Sequence, residues 1–151
     1  MIFNEKVVLF DVEAETAEDV IRAGAQALLE RGIVKDTYCE NVLKREKVYP
    51  TGLETGGINV AIPHTETEHV NRSQVAFLRL KKPVIFKALD DETQDVSVQM
   101  AFMIAMKEPH EQGDTLVSLM SLFGQQDLLE ALMSCRTADE FVELVKARGV
   151  E

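Results

Sequence analysis

The hydrophobic positions change period several times along the chain, and each change marks an element. Lys6-Val7-Val8-Leu9-Phe10 is a short apolar run that reads as a first strand. Thr16 before Ala17-Glu18-Asp19 has the form of a helix start, with Thr16 as N-cap and two carboxylates in the first turn, where the helix dipole favours negative charge. Ala17, Val20, Ile21, Gly24, Ala27 and Leu28 then recur at helical spacing until Gly32 closes the segment. A second helix is expected from Asp36, turning Val42 and Leu43 inward before Pro50.

Residues 48–69 break the pattern. Tyr49-Pro50-Thr51-Gly52 and Gly56-Gly57 are turn chemistry, with the glycines read as loop flexibility, and Ile58-Asn59-Val60-Ala61 is a short strand leading into Pro63-His64. Ser73 to Leu80 reads as a strand, Val84 to Leu89 as a segment pairing nearby, and Asp90-Asp91-Glu92 as a solvated acidic turn. From Val96 to Met106 the chain is apolar on both faces, Met100, Phe102 and Ile104 on one and Ala101, Met103 and Ala105 on the other. A strand of this kind must be covered on both sides, which predicts a central strand with helices above and below. After Pro109-His110 a helical pattern runs through Leu116, Leu119, Met120 and Phe123, followed by a shorter one over Leu128 to Met133. The last helix carries a capping box, Thr137 with Glu140, and packs through Phe141, Leu144 and Val145. The expected fold is α/β, a mixed β-sheet of about five strands with helices on both faces. The absence of repeats or a Pro/Gly/Ser-rich linker predicts one domain over residues 1–151.

Composition narrows the function. With 26 acidic and 16 basic residues the net charge is −10, which disfavours nucleic acid and anionic lipid as partners. No basic start with an apolar run opens the chain, and no stretch reaches the ~20 apolar residues a bilayer requires, so a cytoplasmic protein is expected. Cys39 and Cys135 fall in expected helices and read as small core residues rather than nucleophiles.

Three histidines are present: His64, His69 and His110. Pro63 and Pro109 precede the first and the last, and each of these histidines follows an expected strand. Residues just beyond strand ends gather at one edge of an α/β sheet and commonly form its site, and a preceding proline stiffens the backbone that carries the imidazole. The alternative is two surface loops that happen to carry histidine. His69 reads as a surface or strand-start residue. With neither a His-x-x-x-His helix nor a Cys-x-x-Cys pair, no metal site is expected, and a histidine-ligated metal hydrolase stays an outsider. Lys44, Arg45 and Lys47 by themselves suit a helix C-terminus.

The ordered segments Arg45-Glu46, Pro50-Thr51-Gly52 and Val60-Ala61-Ile62-Pro63-His64 resemble the enzyme IIA domains of the bacterial sugar phosphotransferase system, of the fructose/mannitol type. Lys107-Glu108-Pro109-His110 falls where that family has its second active-site histidine, and Gly52-Leu53-Glu54-Thr55 is most similar to the galactitol-specific branch. The resemblance implies a phosphotransferase component that accepts a phosphoryl group on His64 from the histidine phosphocarrier protein (HPr). It then passes the group to a cysteine of a cognate enzyme IIB, reaching the membrane enzyme IIC only through IIB. His110 and Arg45 are implied as the residues around the phosphate, and no cofactor or metal is implied; Thr51 either adds a hydroxyl or backbone contact or serves only to form the turn. The chemistry suits the residues: neutral imidazole, with an ordinary pKa near ~6.5, is a nucleophile at cell pH, and phosphoryl transfer depends on alignment and charge stabilisation. The need to hold one tautomer predicts a backbone carbonyl on Nδ1 of His64, leaving Nε2 to react from an exposed loop. A regulatory, nitrogen-related member of the same family, acting by binding partners, is the alternative, and neighbouring genes for IIB and IIC would discriminate the two.

Overall fold

The computed structural model describes residues 2–150. In chain order the elements are β1 (Val8–Val12), α1 (Ala17–Glu30), α2 (Tyr38–Val48), β2 (Gly52–Leu53), β3 (Val60–Ala61), a single 3-10 turn (Thr67–His69), β4 (Gln74–Lys87), β5 (Asp95–Ala105), α3 (Pro109–Phe123), α4 (Gln126–Ser134) and α5 (Ala138–Lys146). The strands form one mixed five-stranded sheet of order β1-β4-β5-β3-β2, as the pattern predicted. β5 runs antiparallel to β4 and parallel to β3, and β1 runs parallel to β4.

The two apolar faces of β5 build two separate cores. Ala101, Met103 and Ala105 pack with Val20, Ile21, Leu28, Tyr38 and Val42 under α1 and α2. Met100, Phe102 and Ile104 pack with Leu119, Leu122, Leu129, Phe141 and Val145 under α3, α4 and α5. Gly24 lets α1 lie flat on the sheet, because a Cβ there would come 2.9 Å from the Met103 sulfur. Tyr38 crosses the core to donate its hydroxyl to the Ile104 carbonyl at 2.7 Å.

Three local expectations are corrected. Ser73–Leu80 and Val84–Leu89 do not form two strands: β4 is continuous, with its register shift between Arg79 and Val84 taking in Pro83, where the missing N–H is tolerated. Gly52 is not loop flexibility but the start of β2, paired with Ala61 on one side and bridged to Ala88 on the other. Its glycine is demanded by close approach, since a Cβ would lie 2.6 Å from the Lys87 carbonyl oxygen. At α5, Thr137 accepts the Glu140 N–H, but the Glu140 carboxylate takes the Arg136 N–H, so the box is only half made.

Candidate functional site

The site forms where β3 ends beside β5. After Ala61 the chain continues as Ile62-Pro63-His64 and is clamped from both sides. Ile62 N–H donates to the Thr51 carbonyl at 3.2 Å, and the Pro63 carbonyl accepts the Ile104 N–H at 3.0 Å. His64 Nδ1 lies 2.8 Å from the Ile62 carbonyl oxygen. A carbonyl only accepts, so Nδ1 carries the proton, and in the neutral ring Nε2 holds the free lone pair. This is the tautomer expected from the sequence. The loop is not exposed, however: His64 is half-buried. Burial pushes its pKa below the ordinary value, the Ile62 carbonyl pulls it back up, and the Arg45 charge lowers it further against a smaller opposing effect of Glu66. The ring is therefore held neutral near pH 7.

Arg45 reaches the same place from the last turn of α2, which Pro50 terminates. Its Nη1 lies 3.3 Å from Glu66 Oε1, and its guanidinium stands 5.1 Å from the centroid of the Tyr49 ring. Arg45 Nε is buried without a hydrogen-bond partner, a donor that a phosphate oxygen would satisfy. Thr65 donates its hydroxyl to Glu66 Oε2 at 2.6 Å, and with Arg45 this lowers the Glu66 pKa, so the pair stays ionised. Sequence reasoning passed over Glu66 and read Tyr49 only as turn chemistry. Glu66 sits two residues beyond His64, within the loop already singled out, and that proximity was the signal available.

His64, Arg45 and Thr51 line one open cavity of about 430 Å³. Its far wall is the β4–β5 hairpin, contributing Leu89, Asp90, Asp91 and Glu92. The bridge from Gly52 to Ala88 and the Leu89 N–H donated to the Gly52 carbonyl at 2.8 Å hold that hairpin over the site. Thr51 is nearly fully buried, and its hydroxyl proton is committed to Glu46 at 2.8 Å. His110 is placed differently. It lies exposed in the first turn of α3 and is not among the residues lining the cavity. His69 bonds Thr37 Oγ1 through Nδ1 at 2.8 Å and serves the packing of its own turn. Among the described residues no group of three or more His, Cys, Asp or Glu side chains is arranged to hold a metal ion.

A half-buried imidazole with a fixed tautomer, facing a cavity that also receives a guanidinium, is equipped to take up and release a phosphoryl group. Residues 1–148 match the family model described as phosphoenolpyruvate-dependent sugar phosphotransferase system, EIIA 2. The chain belongs to that family. The galactitol-specific EIIA component of Escherichia coli (strain K12) is 32% identical over 107 residues, 71% of this chain and 71% of that protein. The ascorbate-specific EIIA component of Shigella flexneri is 28% identical over 144 residues, covering 94% and 90%. Among solved structures, the enzyme IIA of the Escherichia coli mannitol system, in complex with phosphorylated enzyme IIB, superposes with a TM-score of 0.75 at 25% identity over 94% of this chain and 95% of that one. As an EIIA, the chain is a phosphotransferase component of sugar transport that carries phosphoryl groups through histidine, in a family whose members act with a cognate EIIB. No helix among the described residues is long and apolar enough to cross a membrane.

Proposed function

We propose that residues 1–151 act as one EIIA domain in the cytoplasm, carrying a phosphoryl group on Nε2 of His64 between HPr and a cysteine of the cognate EIIB during sugar or hexitol uptake. The observation that carries this reading is the His64 Nδ1 contact of 2.8 Å to the Ile62 carbonyl, beside Arg45 and within the open cavity. In the first step the Nε2 lone pair attacks phosphorus, the N–P bond to the donor imidazole breaks, and an N–P bond to His64 forms. In the second a thiolate of EIIB attacks the same phosphorus, and the bonding pair returns to Nε2 as neutral imidazole. Nδ1–H keeps its carbonyl throughout, so no proton has to move on this chain. Arg45 neutralises the developing charge, and its planar fork of donors suits phosphate better than Lys44 or Lys47 would. His110, five residues beyond the end of β5 and in the first turn of α3, is proposed to donate to the phosphoryl group once the group is in place.

Galactitol is the proposed substrate of the transport system, supported by the relative of 32% identity and by the Gly52-Leu53-Glu54-Thr55 segment. The chain itself need never touch the sugar. Incubation with phosphoenolpyruvate, enzyme I and HPr, followed by mapping of the acid-labile phosphate, tests the relay. Phosphate on His64 that an EIIB drains supports it, and unlabelled protein refutes it. Competition among galactitol, mannitol and ascorbate EIIB components for the phosphorylated chain tests the substrate branch.

A further inference from the structure

A series of hydrogen bonds runs from α2 to the nucleophile through residues that phosphoryl chemistry leaves unused. The Glu46 carboxylate accepts the Thr51 N–H on Oε2 and the Thr51 hydroxyl on Oε1, each at 2.8 Å. The Thr51 carbonyl accepts the Ile62 N–H at 3.2 Å. The Ile62 carbonyl accepts Nδ1–H of His64 at 2.8 Å. Glu46 is half-buried and does not line the phosphoryl cavity; it lines a separate one of about 190 Å³. The charged groups facing it there are Glu18 from α1, Lys87 from β4 and Lys47 from its own helix, and none forms an ion pair with it among the described residues.

A carboxylate removed from water without a cation is costly to keep, and burial pushes this one up to about 7 against the two Thr51 hydrogen bonds. Those two bonds grip the residue whose carbonyl orients Ile62. We propose that Glu46 is a positioning residue for phosphoryl transfer: by clamping Thr51 at two points it places the Ile62 carbonyl, which keeps the proton on Nδ1 of His64 and the lone pair on Nε2. The coupling is positional, because successive bonds in the series belong to different peptide groups. Protonation of Glu46 does not break it. The unprotonated oxygen still accepts the Thr51 N–H, while the hydroxyl turns to accept from the new O–H. Glutamine reproduces that second state, with its carbonyl on the N–H and its amide donating to the hydroxyl. Alanine removes both bonds.

The proposal rests on His64 being the phosphoryl acceptor, and its test separates the two. Long-range proton–nitrogen NMR spectra of the isotope-labelled full chain, unphosphorylated and above pH 7, report which nitrogen of His64 bears the proton. Wild type, Glu46→Gln and Thr51→Ser should show the Nδ1–H form alone. Glu46→Ala should populate the Nε2–H form and lower the maximal rate of phosphoryl uptake from HPr by about 10²-fold, the scale of a misplaced reacting group, with the KM for HPr unchanged. Thr51→Val, which keeps the volume and loses the hydroxyl bond, should shift both readouts in the same direction by less. It carries the test if Glu46→Ala does not fold. A pure Nδ1–H form with wild-type rate in both Glu46→Ala and Thr51→Val overturns the proposal. If wild-type His64 takes no phosphate, the acceptor assignment fails, and the tautomer comparison still decides the role of Glu46.

Discussion

Ile62-Pro63-His64 and Glu108-Pro109-His110 carry the same local device at the ends of neighbouring parallel strands, and the fold uses it in opposite ways. At His64 the proline lies in a segment threaded between Thr51 and β5, where the Ile62 N–H and the Ile62 and Pro63 carbonyls all have partners and the imidazole is half-buried. At His110 the proline occupies the first position of α3, where its missing N–H costs nothing, and Glu108 with Glu111 closes the helix start through the Glu108 N–H donated to Glu111 Oε1 at 3.1 Å. Pro63 therefore helps fix a ring, whereas Pro109 starts a helix. A proline before a histidine orients the imidazole only where tertiary hydrogen bonds hold the segment that carries both.

This contrast predicts unequal mutants. His64→Gln should abolish acid-labile labelling with the fold intact, read by thermal melts beside phosphate incorporation. Arg45→Ala should slow uptake by about 10²–10³-fold, the cost of one preorganised donor, while labelling at His64 continues. His110→Ala should slow uptake less than Arg45→Ala and leave stability within about 0.5 kcal/mol, as expected of an exposed side chain. Rapid-quench rates that reverse the order of Arg45 and His110 would show that the phosphorylated state draws α3 into the site far more than this structure does.

The wall of the cavity gives a further handle. Gly52→Ala must push on the Lys87 backbone, and overpacking of this kind costs about 1–3 kcal/mol in denaturant unfolding. Because the same contact holds the hairpin over His64, uptake from HPr should fall as well. Arg45→Ala, in contrast, should leave the hairpin in place.

The pH effects come from two titrating groups, and their signs are opposite. Glu46 is raised from 4.5 to about 7, so the stability it contributes is complete below pH 4.5 and is lost as pH rises to about 7. His64 is lowered from 6.5, so its contribution is complete above pH 6.5 and is lost as pH falls through its folded value. Denaturant midpoints against pH should therefore lose the falling component in Glu46→Gln and the rising one in His64→Gln. Superimposable curves would contradict the burial assigned to both.

The sheet centre was legible because β5 is apolar at every position from Met100 to Ala105, a pattern that has one structural solution. His64 and Arg45 were legible through their motif, and the Nδ1 contact through the need for one tautomer. β2 was not, since two residues, Gly52 and Leu53, carry no period. Nor was the continuity of β4, because Lys81, Lys82 and Pro83 read as a break while the register shift absorbs them. The cavity wall escaped for a third reason: Gly52 meets Ala88 through a parallel bridge across the sheet, and no local pattern announces such a pairing. Glu46 was visible as part of the motif, but its grip on Thr51 depends on the turn geometry at Pro50.

The central claim, that the fixed tautomer of His64 makes Nε2 the phosphoryl acceptor, is tested most directly by phosphorus–nitrogen correlation spectra of the isotope-labelled chain after phosphorylation by HPr. The account predicts one phosphohistidine, with phosphorus bonded to Nε2 of His64 and Nδ1 still protonated. Phosphorus on Nδ1 of His64, or on His110, would contradict it.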